Sequence, residues 1–196
     1  MKAMSTEIAE VLQIVPACHQ DARGYFAETY NRSALEPLGV TADFVQDNLS
    51  FSKREGTVRG LHFQAPPFQQ AKLVRCSSGS ILDVAVDIRF GSPTFGMHVA
   101  RVLSAQNRHQ LFVPAGFAHG FSTLTPNAEV LYKVDATYAP QSECGIRFDD
   151  PVLAIDWQLG NDPAFLSDKD KDLPQFTALP PVFTYADMIE VSECLS

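Results

Sequence analysis

Short runs of apolar and β-branched residues, cut at fairly regular spacing by Gly and Pro, constrain this chain more than any other feature. Residues 11–15 form one such run, closed by Pro16, and Gly24 opens the aromatic run 25–30. Further runs follow at 44–50, 56–64, 72–75, 81–88, 98–104, 110–113 and 129–134. Only residues 31–39 read as a helix, with Asn31 or Ser33 as its cap and Gly39 as its stop. A chain built this way folds as an all-β sandwich or barrel. Beyond Pro151 the pattern breaks. Pro163, Pro174, Pro180, Pro181 and the mixed charges from Asp168 to Asp172 predict an irregular tail wrapped around the barrel. The expected organisation is one domain over 1–196, with a core over about 8–160 and the tail over 161–196.

Charge narrows the choice of partner. The chain holds 196 residues, with 15 Lys and Arg against 23 Asp and Glu, a net charge of −8. That balance argues against nucleic acid and against anionic membrane surfaces. A local cluster of cations in such a protein is therefore expected to hold a small anion. Cys18, Cys76, Cys144 and Cys194 are scattered without a C-x-x-C pair, as reduced cytosolic thiols would be. Glu7 and Glu10 interrupt the start where a signal peptide needs an apolar run, and no stretch is long enough to span a bilayer. A soluble cytoplasmic protein is expected.

The chemistry concentrates in Gly56-Thr57-Val58-Arg59-Gly60-Leu61-His62-Phe63-Gln64 and in Lys72-Leu73-Val74-Arg75. Two strand-like runs flank the turn-like segment 65–70, with Pro66 and Pro67, so the pair reads as a β-hairpin. Strand alternation puts Val58, Gly60 and His62 on one face and Leu61 and Phe63 on the other. Arg59 and His62 then differ in parity. They share a pocket only if Gly60 forms a bulge or the strand twists sharply there. A single strand histidine is more often a packed one than a catalyst. Arg59 and Lys72 shift that balance, because clustered buried cations are costly unless an anion joins them. His62 is a candidate base, Tyr132 a candidate acid, and Arg23, Arg59 and Lys72 are candidate partners for phosphates or an oxyanion. Tyr132 and Tyr138 have the same parity and are expected to look into one cavity.

Gly56…His62 and Pro114-Ala115-Gly116-Phe117-Ala118-His119 resemble the two half-motifs of the cupin jelly roll. Metal-binding cupins carry His-x-His and a following Glu in the first half. Here Gln64 takes the second position, no Glu follows, and Lys72 lies nearby, so neither a metal nor a cofactor is expected. A wider set of segments is similar to the dTDP-4-dehydrorhamnose 3,5-epimerase family. It includes Arg23-Gly24-Tyr25-Phe26-Ala27-Glu28, Phe44-Val45-Gln46-Asp47-Asn48, Arg59…Gln64, Lys72…Arg75, Asp83…Arg89, Gly91…Gly96, Pro114…Phe121, Tyr132-Lys133 and Ser167-Asp168-Lys169-Asp170.

The resemblance implies a metal-free, cupin-type jelly-roll barrel working as a homodimer with an exchanged N-terminal strand. It implies His62 as the base beside a C4 ketone and Tyr132 as the acid on the opposite face. Asp170 would orient His62, with Asp168 the alternative, and Lys72 would stabilise the enolate. Arg23, Glu28, Gln46, Asp47, Asn48, Arg59, His119, Glu143 and Lys169 match substrate-holding positions. Tyr138 matches the aromatic that stacks on thymine, joined by Phe26 of the partner. The implied reaction is double epimerisation, at C3 and C5, of dTDP-4-dehydro-6-deoxy-D-glucose. The alternatives are epimerisation at one carbon of such a dTDP-4-keto-6-deoxy sugar, a non-catalytic nucleotide-sugar-binding cupin, and a metal-dependent cupin oxygenase, the last disfavoured by Gln64 and Lys72. The segment 67–71 departs from the family pattern, where a histidine and a glycine are commoner.

Overall fold

The computed structural model describes residues 1–160 and 163–186, so Cys194 and the end of the tail lie outside the described residues. Strands are numbered here in chain order. One antiparallel sheet runs β1 (Lys2–Met4), β2 (Leu12–Val15), β11 (Gln110–Val113), β7 (Lys72–Ser78), β13 (Ala128–Val134), β5 (Gln46–Ser52). The other runs β10 (His98–Ser104), β8 (Ser80–Asp87), β12 (Phe117–Thr123), β6 (Val58–Gln64), β14 (Glu143–Gly145). Two small sheets complete the set: β3 (Cys18–Asp21) with β4 (Gly24–Ala27), and β9 (Arg89–Phe90) in parallel with β15 (Phe183–Thr184).

The inner faces of the two large sheets meet in one core, where Val74 and Val130 of the first pack with Ala85, Val99 and Phe121 of the second. Each outer face has its own cover. On the six-stranded sheet Leu35 of helix α1 (Arg32–Leu35) joins Ile14, Leu73 and Phe112. On the five-stranded sheet the tail lays Leu153, Trp157, Phe176 and Phe183 over Leu61, Leu82, Val84 and Val86. Covered on both faces, β12 is buried along its whole length, which explains why its sequence shows no polar alternation. The result is the expected all-β jelly roll.

Several local expectations change. Residues 58–64 and 72–78 do not pair as a hairpin, because β6 and β7 belong to opposite sheets and the proline-bearing segment crosses between them. A turn sequence marks a change of direction and does not say which sheet the next strand joins. The predicted helix breaks after Leu35 into a 3₁₀ turn, Glu36–Leu38, because Pro37 has no N–H for the α ladder. Asn31 caps the helix, its Oδ1 accepting from Ala34 N at 3.3 Å. The run 25–30 is only half strand, and its partner β3 is too polar to be read as one. The tail is irregular but pinned. Buried Asp150 accepts from the backbone N–H groups of Val152, Leu153 and Phe176, and Trp157 Nε1 donates to Phe148 O at 2.7 Å.

Candidate active site

A bulge in β6 sets the site. His62 pairs with His119 and Arg59 with Phe121, so Gly60 and Leu61 together oppose Gly120 alone. Gly60 sits at φ +115, and a Cβ there would lie 2.7 Å from both Gly120 Cα and His119 O, so only glycine fits. The extra residue reverses the alternation. Arg59 and His62 both line a cavity of about 1040 Å³, while Leu61 and Phe63 pack beneath the tail with Val58, which also borders the cavity. The parity conflict between Arg59 and His62 is resolved as the sequence required.

His62 Nε2 lies 2.6 Å from Asp170 Oδ1. A carboxylate only accepts, so the ring donates its Nε2 hydrogen and keeps Nδ1 as a basic lone pair. Asp170 comes from the tail, on the single-turn helix α2 (Asp168–Lys171), where Ser167 caps the helix by accepting from Asp170 N. Burial alone would raise the Asp170 carboxyl. The His62 ring, Ser167 and the Gly60 amide outweigh it and hold the group below the usual carboxylate range. Asp168 instead meets Lys171 at the surface, so the His62 partner is Asp170.

Lys72 reaches across from the opposite sheet, its Nζ donating to His62 O at 3.3 Å. Burial drives its ammonium down to about 8, against the opposing charges of Asp83 and Glu143. Behind it, His119 Nε2 meets Asp83 Oδ1 at 2.9 Å. Burial lowers His119 below the usual histidine value, although Asp83 opposes the shift. Burial also raises the Tyr132 phenol, which keeps it a proton-bearing acid at neutral pH. Arg59 is held at the cavity wall, donating from Nε to Ser52 Oγ at 3.1 Å and from its NH2 group to Phe51 O at 3.0 Å.

His62, Lys72 and Tyr132 also border a smaller hollow of about 250 Å³, lined by Gln46, Asn48, Gln64, Tyr138 and Glu143. Tyr138 donates to Glu143 Oε2 at 2.6 Å, and Lys169 forms an ion pair with the same carboxylate. Tyr138 does not owe its place to strand parity with Tyr132. β13 ends at Val134, and Tyr138 stands on the loop that follows.

Not every candidate gathers here. Asp47 points to the outer face of β5, where Lys133 Nζ contacts it at 2.8 Å. Arg23 and Phe26 stand on the β3–β4 hairpin, Arg23 bound to its own Asp21, and Glu28 follows, accepting from Asn31 Nδ2 at 3.2 Å. These three lie apart from the cavity of their own chain. Asp83 is an addition to the site. Its signal is in the sequence: a carboxylate inside the apolar run Ile81-Leu82-Asp83-Val84-Ala85-Val86 must find a partner.

A base, an acid and a buried ammonium thus meet at one cavity, an inventory suited to moving protons beside a carbonyl. The family model described as dTDP-4-dehydrorhamnose 3,5-epimerase matches residues 5–178. A dTDP-4-dehydrorhamnose 3,5-epimerase of Sinorhizobium fredii is 46% identical over 185 residues, which are 94% of this chain and 94% of that one. Among solved structures, the 3,5-epimerase of Legionella pneumophila in complex with dTDP-4-keto-L-rhamnose has a TM-score of 0.89 at 43% identity, covering 94% of this chain and 98% of that one. A 3'-monoepimerase of Streptomyces bikiniensis in complex with dTDP-quinovose has a TM-score of 0.89 at 30% identity, covering 99% of this chain and 98% of that one. With a match over most of its length and relatives of this similarity, the chain belongs to the dTDP-4-dehydrorhamnose 3,5-epimerase family.

Proposed function

We propose that this chain, as a single jelly-roll domain, converts dTDP-4-dehydro-6-deoxy-D-glucose to dTDP-4-dehydro-L-rhamnose by cofactor-independent epimerisation at C3 and C5. The observation that carries the reading is the His62–Asp170 pair open to the cavity, with Lys72 behind it and Tyr132 on the facing sheet. A C–H beside a ketone becomes acidic only when charge can move onto the oxygen. His62 Nδ1 takes the proton, Asp170 stabilises the resulting imidazolium, and the Lys72 ammonium stabilises the enolate oxygen. Tyr132 then returns a proton from the other face, and the configuration inverts. Arg59 holds the diphosphate, and the nucleoside end supplies binding energy that positions the ring.

The proposal includes a homodimer. Arg23, Phe26 and Glu28 sit on or beside a hairpin that stands outside both large sheets of its own chain. Crossing to a partner's cavity would give all three a substrate to hold. The N-terminal strand β1, by contrast, pairs with β2 of its own chain. Gln64, whose amide is bound by backbone groups, and Lys72, whose charge opposes a cation, support chemistry without a metal. No helix among the described residues is long and apolar enough to cross a membrane, and a cytoplasmic enzyme is part of the same proposal.

The second reading is epimerisation at one carbon, favoured by the equal TM-score of the 3'-monoepimerase, whose likeness shows that one scaffold serves both outcomes. Turnover in heavy water separates them. Deuterium at both C3 and C5 is the expected result, label at one carbon alone establishes the mono-epimerase, and no label leaves only a binding protein.

A further inference from the structure

The loop after β13 is tied in an unusual way. Residues 136–139 each give one backbone group to a side-chain amide from elsewhere in the fold. Gln70 Nε2 donates to Ala136 O at 2.6 Å, and Gln64 Nε2 donates to Thr137 O at 3.3 Å. Gln46 Oε1 accepts from Tyr138 N at 3.1 Å, and Gln64 Oε1 accepts from Ala139 N at 2.7 Å. Asp135, at the root of the loop, accepts from Ala71 N at 2.7 Å. A loop anchored this way takes its position from three glutamines on three separate segments, since no strand ladder continues through it.

Gln64 is the centre of this arrangement. It is 4% exposed, and both its amide hydrogens and its oxygen are engaged, the second hydrogen bonding Phe68 O at 2.6 Å. One buried side chain therefore joins the β6–β7 crossover to the loop that bears Tyr138. A histidine, with one donor and one acceptor, could not make all three bonds. Breaking them would leave the buried N–H of Ala139 without a partner and free the carbonyls of Phe68 and Thr137, which the loop would relieve by moving.

We propose that Gln64, seconded by Gln70, is a positioning residue for nucleotide recognition: it sets the loop that presents Tyr138 to the base and does not itself touch the reacting carbons. The proposal rests on the reading of Tyr138 as the aromatic that stacks on thymine. Stacking of a base on an aromatic is worth roughly five- to a hundredfold in affinity, so a misplaced ring is a measurable loss.

The test is a double-mutant cycle on the full-length enzyme with dTDP as the probe and inorganic pyrophosphate as the control. Tyr138→Ala is expected to weaken dTDP roughly ten- to a hundredfold. Gln64→Met, of similar length but without hydrogen bonds, is expected to weaken it by about three- to tenfold, with pyrophosphate affinity and kcat at saturation held nearly constant. In the Tyr138→Ala background, Gln64→Met should change dTDP affinity by less than about twofold, because the ring it positions is gone. Unchanged dTDP affinity in Gln64→Met, or losses that multiply in the double variant, overturns the positioning role while leaving the base-stacking reading intact. Unchanged affinity in Tyr138→Ala overturns that reading first and the positioning role with it. If Gln64→Met does not fold, Gln70→Ala, which removes the single bond to Ala136 O from a half-buried side chain, enters the same cycle with the same criteria.

Discussion

The cavity is built on two imidazole–carboxylate pairs of the same chemistry in different surroundings. His62 and Asp170 have side chains 30% and 5% exposed, and the carboxylate is delivered from outside the barrel by the tail. His119 and Asp83 are 8% and 0% exposed and sit on neighbouring strands of one sheet. Asp170 is satisfied from several directions and held as an anion, whereas Asp83 Oδ2 is buried without a hydrogen-bond partner among the described residues. A ring that reaches the cavity and can charge against a prepared carboxylate is fit to take a proton. A ring that burial keeps neutral is fit to shape the polar floor beneath the substrate. Accessibility, more than residue type, separates the two roles.

The largest effect that would break this division is at His62. His62→Asn should lower kcat by roughly a hundred- to ten-thousandfold while dTDP binding stays close to wild type, because the ring acts in the transition state. A loss of less than about tenfold in steady-state turnover would give the base role to another group. Tyr132→Phe should suppress epimerised product by a comparable factor, about a hundredfold or more, yet keep hydrogen exchange at C5. Isotope exchange measured beside product formation checks it. If exchange disappears along with product, Tyr132 acts before the second proton transfer and the two-face scheme fails.

Asp170→Asn comes next and sharpens the comparison directly. The amide leaves the imidazolium without its counter-charge and offers the ring either tautomer, so kcat should fall by roughly a hundredfold, the lower end of the general-base contribution it supports. Asp83→Asn should cost about tenfold or less, since His119 stays neutral with or without the charge. Similar losses in the two variants, measured at the pH optimum with folding verified by circular dichroism, would mean that both pairs share one role.

Some of this was legible in the sequence and some was not, for definite reasons. The odd parity of Arg59 and His62 calls for either a bulge at Gly60 or a sharp twist there, and the structure takes the bulge. Tyr138 was expected at the cavity for the wrong reason: counting by twos from Tyr132 assumes a strand that stops at Val134. The β6–β7 crossing was illegible, since strand propensity and prolines are the same for a hairpin and for a link between sheets. Asp170 lies in the mixed-charge run Asp168 to Asp172, which local pattern assigns only to an irregular tail, and resemblance to a family alone singles it out. Its burial depends on a tail folding back from more than a hundred residues away, which no local pattern encodes. The glutamine ties were equally hidden, because Gln46, Gln64 and Gln70 mean little until the loop they grip is in place.

The smallest predicted effect concerns Lys72 and links the two pairs through their shared neighbour. Lys72 serves the enolate only as an ammonium, and burial lowers it to about 8 while Asp83 and Glu143 hold it up. A group active when protonated is lost as pH rises through its pKa, so kcat should decline on the alkaline side near pH 8. Asp83→Asn removes one of the charges that favour the ammonium, and the alkaline limb should therefore move to lower pH. Near neutrality the wild-type ammonium is still mostly charged, so the variant's loss there is modest and the shift is best read from a full kcat–pH profile. Lys72→Arg is the decisive control: a guanidinium does not deprotonate in this range, so the alkaline limb near pH 8 should vanish even if kcat is lower throughout. A limb that survives Lys72→Arg, or that stays in place in Asp83→Asn, would assign that titration to a different group and detach the buried pair from the chemistry at the ketone.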